Sequence, residues 1–118
     1  MFSDAVLDHF RNPRHAGDLP DATARVEATN PVCGDVLQLA VRVEKGKIAE
    51  ARFLCRGCTT AIACGSFLAD QLQGRDAVDL TSIDSGFISE GLGGLPPATF
   101  HGADLAADAA RALHRALK

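Results

Sequence analysis

The chain contains no tryptophan and no tyrosine, and only six phenylalanines among its 118 residues. Binding of single-stranded nucleic acid relies on aromatic platforms for base stacking, so that class has little to build on. Basic character is scarce too. Twelve Lys and Arg are scattered along a chain of net charge −3, which leaves no positive stripe to track a phosphate backbone. The N-terminus, MFSDAVLDHFRNPRH, sets charges among its apolar residues and has no continuous apolar core, so it does not read as a secretory signal. No run approaches the roughly eighteen apolar residues of a membrane span. A cytoplasmic, reducing location is expected, where clustered cysteines serve metals or catalysis more often than disulfides.

What is present suits one domain over residues 1–118, and a 47% hydrophobic composition is enough for one core. Ser3 to Phe10 reads as a short amphipathic helix capped by Ser3, with Val6, Leu7 and Phe10 on one face, and Asn12-Pro13 ends it. Residues 14–23 read as loop. Strands are expected over Ala24–Thr29, Val36–Glu44 and Lys47–Cys55, the last two joined by a tight turn at Lys45-Gly46. Alternation places Leu37, Leu39, Val41 and Val43 on one face of the second strand, and Ala49, Ala51, Phe53 and Cys55 on one face of the third.

Helices follow. Thr59 to Gln73 carries Ala61, Cys64, Leu68 and Leu72 on one stripe, with Gly74 as the stop. Residues 76–94 hold one or two short helices, and Pro96-Pro97 imposes an extended segment. The last helix is expected from about Gly102 to Leu117, with Leu105, Ala109, Ala112, Leu113 and Ala116 inward. Strands first and helices afterwards give an α+β fold: a small three-stranded antiparallel sheet with helices packed on one face, an N-terminal helix and a long C-terminal helix.

Four residues stand at loops or element ends, where ligands usually lie. Cys33 and Asp35 flank Gly34 between the first two strands. Cys58 sits at the junction of the third strand and the long helix, where the helix N-terminus and Arg56 place positive charge beside it. His101 lies where the last helix begins. Two thiols, a carboxylate and an imidazole suit one soft or borderline metal ion such as zinc or iron, although ligands drawn from three separated loops are a weak signal by spacing alone. Cys55 and Cys64 fall on apolar stripes and read first as small buried side chains. Cys55, three residues before Cys58, is also a possible substitute ligand. His9, His15 and His114 read as structural or surface residues.

Four stretches together carry a resemblance: DHFRNPRHAG (8–17), NPVCGDV (30–36), ARFLCRGCTTAIACGS (51–66) and LPPATFHGADLAADA (95–109). In order and spacing they resemble the iron–sulfur cluster assembly scaffold family, of the IscU and NifU N-terminal-domain type, over essentially the whole chain. The resemblance implies a non-enzymatic scaffold that assembles a cluster, [2Fe–2S] in kind, with sulfur from a cysteine desulfurase and delivery to recipient apo iron–sulfur proteins. It maps the ligands to Cys33, Asp35 and Cys58, with Cys58 and Cys33 as sulfur acceptors. The family's third ligand cysteine follows a histidine, where this chain reads His101-Gly102. The chaperone-recruiting motif of the family, Leu-Pro-Pro-Val-Lys, reads Leu95-Pro96-Pro97-Ala98-Thr99, which weakens the expectation of a chaperone partner.

Three other functions compete. A zinc-bound persulfide acceptor that relays sulfur without building a cluster is the nearest, since the missing cysteine leaves one ligand fewer. Cys55-Arg56-Gly57-Cys58 imitates a thioredoxin-like redox pair, but an antiparallel hairpin precedes it rather than a βαβ unit. A metal-free relative that only binds partners is the last.

Overall fold

A computed structural model describes residues 2–117. Its elements run α1 (Asp4–Arg11), β1 (Ala24–Thr29), β2 (Val36–Glu44), β3 (Lys47–Arg56), α2 (Thr59–Leu72), α3 (Ser85–Gly91) and α4 (His101–Ala116), with a 3-10 turn at Pro97–Thr99. The three strands form one antiparallel sheet in the order β1-β2-β3. Pairing of Leu37 with Cys55, Leu39 with Phe53 and Val41 with Ala51 puts one continuous apolar face inward. The period-2 pattern of the sequence thus sets the register, since a one-residue slip would carry all of these side chains into water.

One interruption alters that face. A register shift between Arg42 and Val43 pairs Arg42 with Glu50 but Val43 with Ile48. Ile48 is therefore fully buried and Ala49 exposed, the reverse of simple alternation from Ala51 backwards. The bulge lets the larger aliphatic side chain fill the core end of β3.

The outer edge of β3 does not face water. Phe53 donates its N–H to His15 O at 3.0 Å and accepts at its carbonyl from Gly17 N at 2.9 Å, so residues 15–17 form a short parallel bridge where a plain loop was expected. At Ala51 a side chain stands in for a strand. Gln73 Nε2 donates to Ala51 O at 2.8 Å, while Gln73 Oε1 accepts from Ala51 N at 3.2 Å. Farther along, Ile48 donates to Arg75 O at 2.8 Å and accepts from Gly74 N at 2.7 Å. An edge covered in this way is closed to strand addition over that length.

The helices cover the inward face. α2 packs on β3 and α4 on β1 and β2, with α1 lying on α2 and α3 on α4. α2 is thus the central helix, and it is buried on more than the one expected stripe: Ala63, Ser66, Phe67 and Ala69 are enclosed along with Ala61, Cys64, Leu68 and Leu72. Its many small residues allow neighbours on several sides. α4 buries Ala103, Leu105, Ala106, Ala107, Ala109, Ala110 and Leu113. Ala116, expected inward, is exposed. Pro96 is extended, as expected, but Pro97 starts the 3-10 turn; its fixed φ and lack of an N–H suit the first position of such a turn.

α1 is pinned at both ends. Ser3 Oγ accepts from Val6 N at 3.1 Å as an N-cap and donates to Leu92 O at 2.5 Å. Near the other end, the buried Ser66 hydroxyl accepts from Arg14 N at 2.7 Å and lies 2.8 Å from His9 Nδ1. His9 also meets the Phe67 ring edge-on. His9 and His15, the latter 3.3 Å from Asp70, therefore hold the N-terminal segment on α2.

Candidate metal centre

Chain direction brings three junctions to one end of the molecule: the β1–β2 loop, the β3–α2 turn and the start of α4. The first is a tight hairpin loop. Asn30 donates to Asp35 O at 2.8 Å and accepts at its carbonyl from Gly34 N at 2.8 Å, while its side-chain oxygen accepts from Val32 N at 2.9 Å. Asparagine beside proline suits this local turn. Gly34, at φ +76°, supplies the left-handed residue that turns the chain back into β2. The result is an exposed Cys33 at the tip and an Asp35 that is only 7% exposed at the root.

Cys58 is the N-cap residue of α2 and exposed; His101 is the first residue of α4 and half-buried. Cys58 Sγ lies 3.4 Å from His101 Nε2 and 3.7 Å from Asp35 Oδ2, and His101 Nε2 lies 3.8 Å from Asp35 Oδ2. Cys33, Asp35 and His101 likewise present one ligand atom each within 4.8 Å of one another. Two overlapping trios thus share Asp35 and His101, one adding Cys58 and the other Cys33. Metal–ligand bonds of 2.0–2.3 Å in a tetrahedron imply ligand–ligand edges of about 3.3–3.8 Å. The separations among Cys58, Asp35 and His101 fall on that scale, so these donors suit a metal ion with little rearrangement.

Two contacts that sequence reasoning missed lie beside these ligands. A Cβ on Gly57 would stand 2.8 Å from Asp35 Cγ, 3.0 Å from Oδ1 and 3.1 Å from Cβ. The bare backbone at Gly57 therefore makes the space in which the Asp35 carboxylate sits. Gly102 is buried against α2, where a Cβ would come 3.1 Å from Thr60 Cγ2 and 3.2 Å from Thr60 C and O. The only sequence signal was adjacency, since each glycine neighbours a candidate ligand.

The other cysteines part from this group. Cys55 pairs with Leu37 on the inward face, packs against the core and belongs to no ligand cluster of three or more among the described residues. Burial, reinforced by the negative charges of Asp35 and Cys58, pushes its thiol up to about 11. Cys64 is fully buried on α2, and burial pushes it up to about 12. Both thiols stay protonated at neutral pH. The Cys55–Cys58 pair of the redox reading is split between an inward strand position and an exposed helix mouth.

Among the described residues no helix is long and apolar enough to cross a membrane.

Comparison with known proteins adds an independent line. The NifU-like N terminal domain family matches residues 1–117. The iron-sulfur cluster assembly scaffold protein IscU 1 of Archaeoglobus fulgidus is 39% identical over 111 residues, covering 94% of this chain and 72% of the relative. The iron-sulfur cluster assembly scaffold protein IscU of Azotobacter vinelandii is 41% identical over 123 residues, covering 99% and 94%. Among solved structures, the N-terminal part of a nitrogen-fixing NifU-like protein from Brucella abortus shares the fold, with a TM-score of 0.65 at 16% identity, covering 97% of this chain and 81% of that one.

Proposed function

The chain belongs to the family of NifU-like N-terminal domains, and from that premise we propose that it is a scaffold on which an iron–sulfur cluster is built as cargo and then handed on. The observation that carries the reading is the gathering of Cys33, Asp35, Cys58 and His101 at one end of the fold. Four protein ligands are what a [2Fe–2S] unit needs, two for each iron, and thiolates with an imidazole are donors that iron–sulfur clusters accept. With Gly102 where the family resemblance implies a third ligand cysteine, His101 is the residue that would supply the fourth donor.

Each residue has a separate task. Cys33 and Cys58, both exposed, receive sulfur from a cysteine desulfurase and bind iron through their thiolates. Asp35 offers a hard oxygen donor among soft ones, which makes its bond to iron the weakest of the set. His101 closes the cluster from the α4 side. A carrier of this kind turns over no small molecule, and the apo iron–sulfur proteins that receive the cluster complete the cycle.

Anaerobic reconstitution with ferrous iron, cysteine, a cysteine desulfurase and dithiothreitol to reduce the persulfide sulfur to sulfide tests the proposal, followed by transfer to an apo-ferredoxin. Visible charge-transfer bands should appear and then move to the acceptor. A sample that takes up cobalt as a single tetrahedral ion but never yields a cluster would sink the scaffold reading in favour of a zinc-type sulfur relay.

A further inference from the structure

We propose that β1 is a self-complementary edge through which two copies of this three-stranded sheet join, independently of how the cargo site is read. The two edges of the sheet are not alike. Residues 15–17, Gln73 and residues 74–75 occupy the β3 edge, whereas among the described residues no group bonds to the backbone on the free side of β1. The ladder decides which groups line that side. Phe53 and Ala51 turn their N–H and C=O away from β2, so their partners Leu39 and Val41 turn theirs toward β1. Val26 and Ala24, opposite those two, bond inward, which leaves the N–H and C=O of Arg25, Glu27 and Thr29 facing outward. All three residues are exposed, and no proline, lysine or register shift interrupts Ala24–Thr29. The guards on this edge are the charges of Arg25 and Glu27.

Those charges select one partner register. An antiparallel second copy centred on Val26 sets each Arg25 opposite the other copy's Glu27, and each such pair exchanges both of its backbone hydrogen bonds. Registers centred on Arg25 or on Glu27 instead set like charges against each other. Both side chains lie on the outer face of the sheet, where Arg25 donates to Asp18 Oδ1 at 3.1 Å and to Leu19 O at 2.6 Å, and Glu27 Oε1 accepts from Gln38 Nε2 at 3.1 Å. Each keeps further donors or acceptors for a second partner. On the other face α4 packs on β1, exposed at Asp104 and Asp108 toward its start and at Arg111 and Arg115 toward its end. The axis that reverses β1 reverses α4 too, so the two helices would run with acidic ends toward basic ends. At about 3.3 Å per residue the two Thr29 positions stand about 20 Å apart, which sends the Cys33 loops to opposite ends and leaves each site open.

So short an edge buries less than a standard interface, and the dimer should dissociate on the order of 10–100 µM. Sedimentation equilibrium of the metal-free protein up to about 500 µM tests it, on the unmodified chain, Arg25→Glu, Glu27→Arg, the double swap, and an equimolar mixture of the two single variants. Both side chains are exposed, so each variant should keep its fold, which thermal melts check. The unmodified chain should form a reversible dimer, and each single reversal should weaken it at least tenfold by setting like charges opposite on both sides of the axis. The double swap should restore association, and the mixture should form heterodimers, because an acidic edge then meets a basic one. An unmodified chain that stays monomeric, single variants that associate as tightly as it does, or a mixture that stays monomeric each overturns the proposal.

Discussion

Gly57→Ala tests most directly how Asp35 is held. The added methyl would meet Asp35 Cγ at 2.8 Å, where an ordinary carbon–carbon contact is about 3.5 Å or more, so the shortfall is roughly 0.7 Å. Oδ1 at 3.0 Å and Cβ at 3.1 Å crowd it from the same side. Either the carboxylate swings away from the cluster or the β3–α2 turn retreats; both lengthen the 3.7 Å approach to Cys58 and the 3.8 Å approach to His101. Overpacking of this kind costs about 1–3 kcal/mol, and at roughly 4 °C per kcal/mol the melting temperature should fall by about 4–12 °C. The cost is conditional on the carboxylate. Asp35→Ala removes the atoms at 2.8 and 3.0 Å and leaves only Cβ at 3.1 Å, so the second substitution should be cheaper in that background by on the order of 1 kcal/mol. Thermal melts of the four metal-free proteins give this coupling. Equal losses with and without Asp35 would refute the idea that Gly57 exists to seat the carboxylate.

Other consequences follow from the same geometry. Asp35→Ala should lengthen the lifetime of a reconstituted cluster and slow its transfer, because the weakest ligand bond is the one that lets cargo leave; faster decay of the visible bands would count against it. Alkylation of the metal-free protein near neutral pH, read by mass spectrometry, should label Cys33 and Cys58 and spare Cys55 and Cys64 until denaturant is added. The raised values of Cys55 and Cys64, about 11 and 12, also predict an alkaline limb. Their contribution to stability is complete below the unfolded thiol value of about 8.5–9 and is lost as pH rises through the folded values, which urea melts at pH 8 and pH 10.5 would show. At the acid end, His9 is held below its ordinary value by burial and then by Arg14, against weaker opposing charges on Asp70 and Asp8. Stability should therefore fall as pH drops below about 6.5, and His9→Gln should flatten that limb.

The parts of this fold that were legible in advance are those governed by one period along the chain. β1 and β2 carry their expected bounds and β3 extends one residue further, because alternation of Leu37, Leu39 and Val41 against Gln38 and Arg42 admits one register. What escaped depends on partners distant in sequence. The bulge at Arg42/Val43 answers to the core's need for Ile48, and no local pattern separates Ile48 from Ala49 as the inward residue. The Gln73 amide that takes a strand's place on Ala51, and the pairing of residues 15–17 with Phe53, are tertiary choices made by polar groups with several alternatives. At the site, the candidate ligands Cys33, Asp35, Cys58 and His101 were readable as chemistry-bearing residues at element ends, and the structure brings them to one end of the fold. The seating of Asp35 was not readable, because Gly57 acts by lacking atoms against a neighbour 22 positions away.

The same architecture bears on why such a site suits a loan rather than a possession. α2 and α4 both begin at the cluster, and neither start has a side-chain cap, so N–H groups of their first turns remain without a side-chain acceptor there. An anionic cluster held there by thiolates would be stabilised by the positive ends of two helix dipoles, each by a few tenths to about 1 kcal/mol. That attraction is directionless compared with a covalent ligand bond and persists while individual bonds to iron are exchanged. On the proposed reading, affinity would be divided between a field that does not need to be broken stepwise and four bonds of unequal strength, of which the Asp35 bond would be the first to yield. A third or fourth cysteine would raise retention without changing the field, and release would slow. Cys33 offers the contrast: exposed at the tip of a loop beside Val32, which is 95% exposed, it is the candidate ligand that an incoming acceptor would reach first. Exchange should therefore proceed from the hairpin side inward, through Asp35 and Cys33, with Cys58 and His101 the last to let go.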